Sequence, residues 1–262
     1  MIPYFEIHTL VLGYLTIQIW GLLVSLGILA GLLVSYHLAK KYSLSTNVLF
    51  DVALWSIIGA FIGGRLFFVL FYSSNHFLIY PLDILKFWDG GASSLGGFVG
   101  AILAIWLFMK KRHFSFNEFL PYLDVGIVGL WIGWGIGRLG CFLIHDHPGI
   151  LSNSLLAVNF PTGARYDLGL LESFLGFIIF AIFICLFKYL VNKRWGLDTF
   201  FSIGLYAVGR FLLDFLRATD LIESNPRYYN LTLVQWGMIL ILGGILTLLL
   251  FWNKIAFTKD ID

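Results

Sequence analysis

Apolar residues run along this chain in long stretches separated by short polar segments. A helix that spans a membrane needs about 20 predominantly apolar residues. Seven stretches predict transmembrane helices, at residues 14–37, 48–72, 94–109, 120–143, 169–191, 198–217 and 232–253. The pattern therefore predicts an all-α polytopic membrane protein with seven transmembrane helices, in which residues 1–262 form a single integral membrane domain.

The basic residues between these stretches predict which side of the membrane each end occupies. Lys and Arg are clustered after every odd-numbered stretch, whereas the segments after the even-numbered stretches carry few of them. The clusters are Lys40 with Lys41, residues 110–112, Lys188 with Lys193 and Arg194, and Lys254 with Lys259. Because Lys and Arg accumulate in cytoplasmic loops, we expect the N-terminus outside and the C-terminus in the cytoplasm.

Composition supports the membrane assignment. The chain is 59% hydrophobic and only 12% charged, whereas a soluble domain carries about 25% charged residues. A net charge of +2 provides no strongly basic surface, so we expect no nucleic-acid partner. Cys141 and Cys185 both lie in apolar segments and imply no disulfide framework. The opening MIPYFEIHTL lacks a basic n-region, so we expect no cleaved signal peptide.

Several charged residues interrupt the apolar stretches, where each is costly unless it has a partner. Arg65 and Arg138 lie deep in the second and fourth stretches, which run from the cytoplasm outwards in the predicted topology. In the sixth stretch, spacings of four, four and three put a polar set on one helix face: Tyr206, Arg210, Asp214 and Arg217. The Gly-rich loop at residues 87–100 enters the third stretch from outside. These features predict an outward-facing polar cavity within the membrane.

The predicted cavity suits a phospholipid head group. Arginine donors match phosphate oxygens in a bidentate way, and glycine-rich turns expose N–H groups to an anion. Other roles compete at single positions. Arg65 would also be explained by pairing with a carboxylate or backbone carbonyls, and Arg217 by snorkelling to the interface. Packing would explain the glycines within helices, namely Gly59, Gly63, Gly129 and Gly209.

Six motifs together give the chain a resemblance to a known family. They are IGGRLFFVLFY (62–72), WDGGASSLGG (88–97), GWGIGRLGCF (133–142), VNFPTGARYDLGLLES (158–173), LYAVGRFLLDFLR (205–217) and LTLVQW (231–236). With the seven-helix order, this set resembles the prolipoprotein diacylglyceryl transferase family. The resemblance implies transfer of diacylglycerol from phosphatidylglycerol to the lipobox cysteine of a preprolipoprotein. It also implies a multi-pass protein of the bacterial cytoplasmic membrane, with its active site toward the outer face.

The resemblance also implies roles for single residues. Arg138 and Arg210 would hold the phosphate and stabilise the leaving group, and Tyr206 matches a tyrosine of the family's site. Gly149 matches a signature glycine, and Asp146 stands where the family has an acid. The predicted substrate-binding residues also include Arg65 and four loop glycines, Gly90, Gly91, Gly96 and Gly97.

The chain departs from the family's pattern at four positions. Leu95 replaces the loop histidine that is thought to deprotonate the acceptor cysteine. Trp20 replaces a tyrosine of the first helix, Cys141 an asparagine, and Tyr166 a histidine. Another group would then act as base, activity would be lost, or the acceptor thiol would ionise without a base. His145 and His147 are the candidate substitutes, with Tyr206 a weaker one.

Three functions remain open at this stage. The chain is an active diacylglyceryl transferase, transfers a lipid group to another acceptor, or binds or transports lipid without catalysis. No nucleotide or flavin motif occurs, so we expect no cofactor. We also expect no metal, because His145, Asp146 and His147 crowd one loop and no distant ligand is evident.

Overall fold

The computed structural model describes residues 1–71, 79–86, 91, 93–221 and 227–256. Within this part of the chain, seven long α-helices account for most of the structure. They are α1 (Ile19–Lys41), α2 (Thr46–Phe71), α3 (Ser94–Lys111), α4 (Phe116–Ile144), α5 (Leu168–Lys193), α6 (Leu197–Leu213) and α7 (Leu233–Ala256). Short 3-10 helices lie at Pro81–Leu85 and at Asp214–Leu216, directly after α6.

Each predicted span overlaps one of these helices, with ends that differ by a few residues. Six of the helices are long and apolar enough to cross a membrane: α1, α2, α4, α5, α6 with its 3-10 extension, and the Leu233–Leu250 part of α7. Many of their large side chains are exposed, including Leu29, Phe61 and Leu240. Such apolar surface suits lipid better than water. A multi-pass helical membrane protein is thus confirmed, whereas the crossing of α3 and the orientation remain predictions.

Short strands correct the expectation of a purely helical chain. β1 (Thr9–Leu12) and β2 (Leu15–Gln18) form an antiparallel hairpin that turns at Gly13, whose φ is +62°. The first span therefore begins later than predicted, because hydropathy does not distinguish an apolar strand from an apolar helix. A second sheet has the order β3 (Pro148–Leu151), β5 (Gly163–Asp167), β4 (Val158–Phe160), and a third pairs β6 (Arg227–Tyr228) with β7 (Leu231–Thr232).

Residues Ser35–Gly126 form one compact unit. Its helices α2 and α3 pack closely through glycines spaced four apart, Gly59 and Gly63 on α2 and Gly96 and Gly100 on α3. A Cβ on Gly59 would lie 2.5 Å from the Gly100 carbonyl oxygen. This close approach confirms the packing role predicted for Gly59 and Gly63 and matches the small-residue contacts of membrane helices.

Met1–Val34 and Ile127–Asp262 form the other compact unit. Here too glycines four apart face each other, since a Cβ on Gly27 would lie 2.5 Å from the Gly133 carbonyl oxygen. A Cβ on Gly31 would lie 2.6 Å from the Gly129 carbonyl oxygen. The packing role predicted for Gly129 is therefore confirmed. α1 approaches α4 at backbone distance just before the Arg138 segment.

Helix α5 packs between the helices that carry the two predicted phosphate ligands. The Ser173 hydroxyl donates to the Gly135 carbonyl at 2.7 Å, which fixes α5 against α4. A Cβ on Gly209 would lie 2.7 Å from Leu175, so α6 approaches α5 on its other side and the packing role of Gly209 is confirmed. Trp131 and Ile179 add a buried apolar core to this contact. The first turns of α5 therefore lie close to both α4 and α6.

Candidate active site

Glu172 of α5 joins the arginines of two other helices. Its Oε2 lies 2.9 Å from Nε of Arg138 on α4. Its Oε1 lies 3.4 Å from Nη1 of Arg210 on α6. The Glu172 side chain is fully buried, and the arginine side chains are 15% and 6% exposed. Because a lone charge in this setting is costly, a shared carboxylate gives both guanidiniums a counter-ion.

Asp214 extends this set of charges to a third arginine. Its Oδ1 lies 2.9 Å from Nη1 of Arg210 and 3.1 Å from Nε of Arg217. The Thr232 hydroxyl donates to its other oxygen, Oδ2. The polar face predicted for the sixth stretch is thus a chain of ion pairs. The name arginine cluster is used below for its three arginines and two carboxylates, Arg138, Arg210, Arg217, Glu172 and Asp214.

The central contacts of the arginine cluster are ion pairs without well-aligned hydrogen bonds. Both Glu172 oxygens and Nη1 of Arg210 are buried and have no hydrogen-bond partner among the described residues. Buried polar groups are nearly always hydrogen-bonded, so each exception calls for an explanation. A hydroxyl group or water would donate to the Glu172 oxygens, and a ligand or water oxygen would accept from Nη1 of Arg210. The cluster therefore has the properties of a polar binding site.

Aromatic side chains flank the two central arginines. The guanidinium of Arg138 stacks over the ring of Trp134, 4.6 Å from its centroid. Tyr206 packs on Trp131 and Trp134, with ring centroids 5.0 and 5.7 Å apart, and interacts electrostatically with Glu172 and both arginines. Tyr206 thus lies at the arginine cluster, where the sequence predicted it.

The loop after α4 is fixed in place by His145. This residue adopts a left-handed backbone with φ of 50°, which reverses the chain at the helix end. Its Nδ1 lies 2.7 Å from the carboxylate of Asp167, and its Nε2 lies 2.8 Å from the Phe5 carbonyl. Burial raises the pKa of Asp167. Both ring nitrogens are engaged, so the structure gives His145 a positioning role in place of the base predicted from sequence.

The next two residues point back toward the last turn of α4. His147 Nε2 lies 3.7 Å from Oδ2 of Asp146, and the two side chains are 30% and 36% exposed. One donor atom from each, together with the sulfur of Cys141, lies within 4.8 Å of the others. Nη1 of Arg138 donates to that sulfur at 3.7 Å. These residues therefore adjoin the arginine cluster.

The same surroundings shift both titrating groups of this loop. Burial raises the pKa of Asp146 to about 6, against the opposing effect of Arg138. Burial, reinforced by the three arginines of the cluster, lowers the pKa of His147 to about 3. The imidazole is accordingly neutral at physiological pH. So low a pKa also makes His147 a weak proton acceptor, which argues against its predicted role as base.

Arg65 belongs to the Ser35–Gly126 unit and is structural. It is 4% exposed, and its donors reach four backbone carbonyls at 2.7–3.1 Å, those of Asp83, Ile84, Lys86 and Gly91. The guanidinium thus binds the peptide segment that contains the 3-10 helix. These contacts support the other role left open for Arg65, pairing with backbone carbonyls, over its predicted place among the substrate-binding residues.

The loop glycines likewise serve the fold. The Gly96 amide donates to the Ser93 hydroxyl at 3.4 Å and the Gly97 amide to the Ser93 carbonyl at 2.9 Å, so both complete the start of α3. Gly91, with φ of +76°, offers its carbonyl to Arg65. The amides of Gly96 and Gly97 are therefore directed at Ser93 within the protein, in place of the predicted donation to a phosphate. Gly90 lies outside the described residues.

Gly149 and Leu95 were also singled out in the sequence. A Cβ on Gly149 would lie 2.6 Å from the Leu216 carbonyl oxygen, so close backbone approach requires glycine there. Leu95 is an exposed residue of α3 and supplies no proton acceptor. The residue that sequence reasoning did not assign is Glu172. A carboxylate within an apolar helix is the expected counter-ion of intramembrane arginines, and that signal would have identified it.

The chain matches the family model described as prolipoprotein diacylglyceryl transferase over residues 8–253. It is 33% identical over 256 residues to the phosphatidylglycerol–prolipoprotein diacylglyceryl transferase of Oleidesulfovibrio alaskensis, covering 93% of this chain and 92% of that one. The enzymes of that name from Rickettsia akari and Francisella tularensis subsp. holarctica are 32% and 30% identical. Those matches cover 80% and 83% of this chain, and 84% and 82% of theirs. The chain therefore belongs to the prolipoprotein diacylglyceryl transferase family.

Proposed function

We propose that this protein transfers the diacylglyceryl group of phosphatidylglycerol to the lipobox cysteine of a preprolipoprotein, in the bacterial cytoplasmic membrane. Relatives that match most of this chain are named for that activity. The observation that carries the proposal is the bridge by which buried Glu172 joins Arg138 and Arg210. We place the reaction toward the outer face of the membrane, as the distribution of Lys and Arg predicts.

The two arginines would bind the phosphate of the lipid. Glu172 forms its ion pair with Nε of Arg138. Nη1 of the same guanidinium donates to Sγ of Cys141 at a long 3.7 Å. The terminal edge therefore has donors for a phosphate oxygen. Arg210 directs one nitrogen to two carboxylates and supplies a second positive charge. Charge-assisted contacts of this kind are the strong ones for phosphate.

The reaction forms one bond and breaks another at the same carbon. The acceptor thiolate attacks the glycerol carbon that bears the phosphate, and the C–O bond to the phosphate breaks. Glycerol phosphate leaves with the electron pair, and a thioether remains on the peptide. Arg138 and Arg210, already oriented by Glu172, stabilise the negative charge of the leaving group without rearranging.

The arginine cluster would also ionise the acceptor thiol. A thiol beside Lys or Arg has its pKa lowered to roughly 3.5–7.5, and an attacking thiol must approach the phosphate that the arginines hold. Leu95 cannot accept a proton, His145 has both nitrogens engaged, and His147 is a weak base. Of the alternatives that the sequence leaves open, ionisation without a dedicated histidine fits these groups.

The direct test is a thioether assay. Purified protein is incubated with phosphatidylglycerol vesicles and a lipobox peptide, and the peptide is analysed by mass spectrometry for a thioether-linked diacylglycerol. We expect product with the wild type and far less with Arg210→Ala. Arg112→Ala is the matched control, because this exposed arginine pairs with Asp51, lies over the Phe108 ring and is outside the arginine cluster.

A non-catalytic lipid-binding protein is the second candidate, and Leu95 is the observation that favours it. The thioether assay distinguishes the two candidate functions. Absence of thioether product from the wild type and from Leu95→His, with phosphatidylglycerol still bound, would support lipid binding without transfer. Transfer to a peptide without a lipobox would instead indicate a different acceptor.

A further inference from the structure

Three side chains of metal-binding type meet at the end of α4. The thiol of Cys141, the carboxylate of Asp146 and the imidazole of His147 each place one donor atom within 4.8 Å of the other two. Thiolate, carboxylate and imidazole are the ligand types of zinc in proteins. We propose that Cys141, Asp146 and His147 form a binding site for one thiophilic divalent cation of the zinc class.

The distances fit such an ion after small movements. A tetrahedral zinc ion places its ligand atoms roughly 3.3–3.8 Å apart, given bonds of about 2.0–2.3 Å. The present separations, up to 4.8 Å, need side-chain adjustments of about an ångström. Asp146 and His147 are 36% and 30% exposed, so an ion can reach them from outside. Three protein ligands also leave a fourth position for water.

The backbone holds these ligands in place. The Leu168 amide at the start of α5 donates to the His147 carbonyl at 3.0 Å. One residue before Asp146, the ring of His145 is fixed between Asp167 and the Phe5 carbonyl. Cys141 is held by the helix itself. A site whose ligands are oriented by such outer contacts binds metal better than a mobile loop does.

The sulfur has outer contacts of its own. Nη1 of Arg138 donates to Sγ of Cys141 at 3.7 Å, and the Trp20 side chain also interacts with it. Hydrogen bonds to a ligating sulfur are a common means of orienting and tuning it. Cys185, the other cysteine, is exposed and is not part of such a cluster among the described residues.

The neighbouring arginines do not prevent binding of a cation. Within the arginine cluster, two carboxylates offset two of the three guanidiniums. Asp146 offsets the remaining positive charge, so the region is formally neutral while the Cys141 thiol is protonated. A divalent ion therefore enters a formally neutral region, and the Cys141 thiol releases its proton to solvent as the metal binds.

The structure adds Cys141 as a ligand that the sequence did not indicate. Sequence reasoning expected no metal because His145, Asp146 and His147 crowd one loop without a distant ligand. The left-handed turn at His145 folds the loop back on α4, which brings in Cys141 and directs the His145 ring elsewhere. The ligand set is thus Cys, Asp and His, contributed by a helix and the loop that follows it.

Cobalt binding tests the site independently of catalysis. The detergent-purified full chain is treated with chelator and titrated with Co²⁺, which gives a near-ultraviolet charge-transfer band when sulfur is a ligand. Bound metal is counted by mass spectrometry, and Zn²⁺ is added in competition. We expect one ion per chain, the sulfur band, and displacement by Zn²⁺. Cys141→Ser should abolish the band, whereas Cys185→Ser should retain it.

The carboxylate and the imidazole are tested in the same way. Asp146→Asn and His147→Asn should each weaken Co²⁺ binding by at least tenfold, since even loss of an outer partner costs about 10–100-fold. Because the Asp146 side chain is exposed, we expect Asp146→Asn to fold. This variant therefore tests the metal site if Cys141→Ser is unstable. No bound metal in the wild type, a band that persists in Cys141→Ser, or unchanged affinity in Asp146→Asn would each overturn the site. The thioether assay of the wild type, run without added metal, tests the proposed function separately from metal binding.

Discussion

At the scale of single residues, the site depends on buried charges that stabilise one another. Glu172 balances Arg138 and Arg210 together, and Asp214 links Arg210 to Arg217. Because each carboxylate pairs with two guanidiniums, substituting one carboxylate weakens the pairing of two arginines at once. Substitutions at these positions separate the planar shape of a guanidinium from its charge, and a counter-ion from an ordinary polar contact.

Arg138→Lys keeps the charge of the residue but loses its planar pair of donor edges. A lysine cannot contact Glu172 and a phosphate oxygen in the geometry of a guanidinium. Removal of one stabilising donor from an active site typically costs about 10²–10³-fold in turnover, and we expect a loss approaching that range in the thioether assay. Turnover equal to wild type in Arg138→Lys would remove this residue from the phosphate site. Arg112→Lys serves as the control.

Glu172→Gln should destabilise the protein. The amide carries no negative charge, so two buried guanidiniums lose their shared counter-ion. Removing one partner of a buried ion pair costs about 3–5 kcal/mol in free energy of unfolding. Asp51→Asn, which breaks an exposed pair with Arg112, should cost at most about 1 kcal/mol. Thermal unfolding in detergent measures both, and similar midpoints for the two variants would contradict the counter-ion role.

Leu95→His tests whether a histidine base limits the reaction. General-base assistance is typically worth 10²–10⁴-fold, so an enzyme that lacked only its base would gain by that factor. Since the arginine cluster is proposed to ionise the acceptor thiol, we expect a gain below about tenfold, which is less than the lower edge of that effect. Leu95→Ala controls for the change in side-chain size. A hundredfold gain would show that deprotonation limits the wild type.

At the scale of elements, glycines set how closely helices pack. Gly63→Ala would place a Cβ 2.7 Å from the Gly100 Cα, which forces α2 and α3 apart. Overpacking of this kind costs about 1–3 kcal/mol. At Gly97 a Cβ would lie 3.6 Å from the nearest atom, the Ala60 carbonyl oxygen. Gly97→Ala should therefore leave the thermal unfolding midpoint unchanged or raise it. Equal losses at both positions would contradict this packing account.

At the scale of the whole molecule, the alternation of basic clusters predicts the topology. In a chain whose two cysteines are replaced by serine, Tyr14→Cys in the β1–β2 turn should react with an impermeant maleimide on intact cells. Lys111→Cys should react only after the cells are permeabilised. Labelling of Lys111→Cys in intact cells would contradict the N-out orientation and, with it, an active site toward the outer face.

The sequence by itself determined the membrane class and the approximate extent of the long helices, and it singled out Arg138 and Arg210 of the arginine cluster. Apolar stretches of spanning length and unpaired charges within them are local signals, and they need no knowledge of the fold to be read. The four-residue spacing of Arg210 and Asp214 likewise predicted a shared helix face, on which the two side chains form an ion pair.

Only the tertiary structure decided which partner each polar group takes. Arg65 and Arg138 have similar sequence settings, yet one binds backbone carbonyls and the other shares Glu172. His145 and His147 are two residues apart, yet only His145 has both ring nitrogens engaged by Asp167 and Phe5. These outcomes depend on contacts between residues distant in the chain. Helix packing and a left-handed turn create those contacts, and composition or spacing cannot specify them.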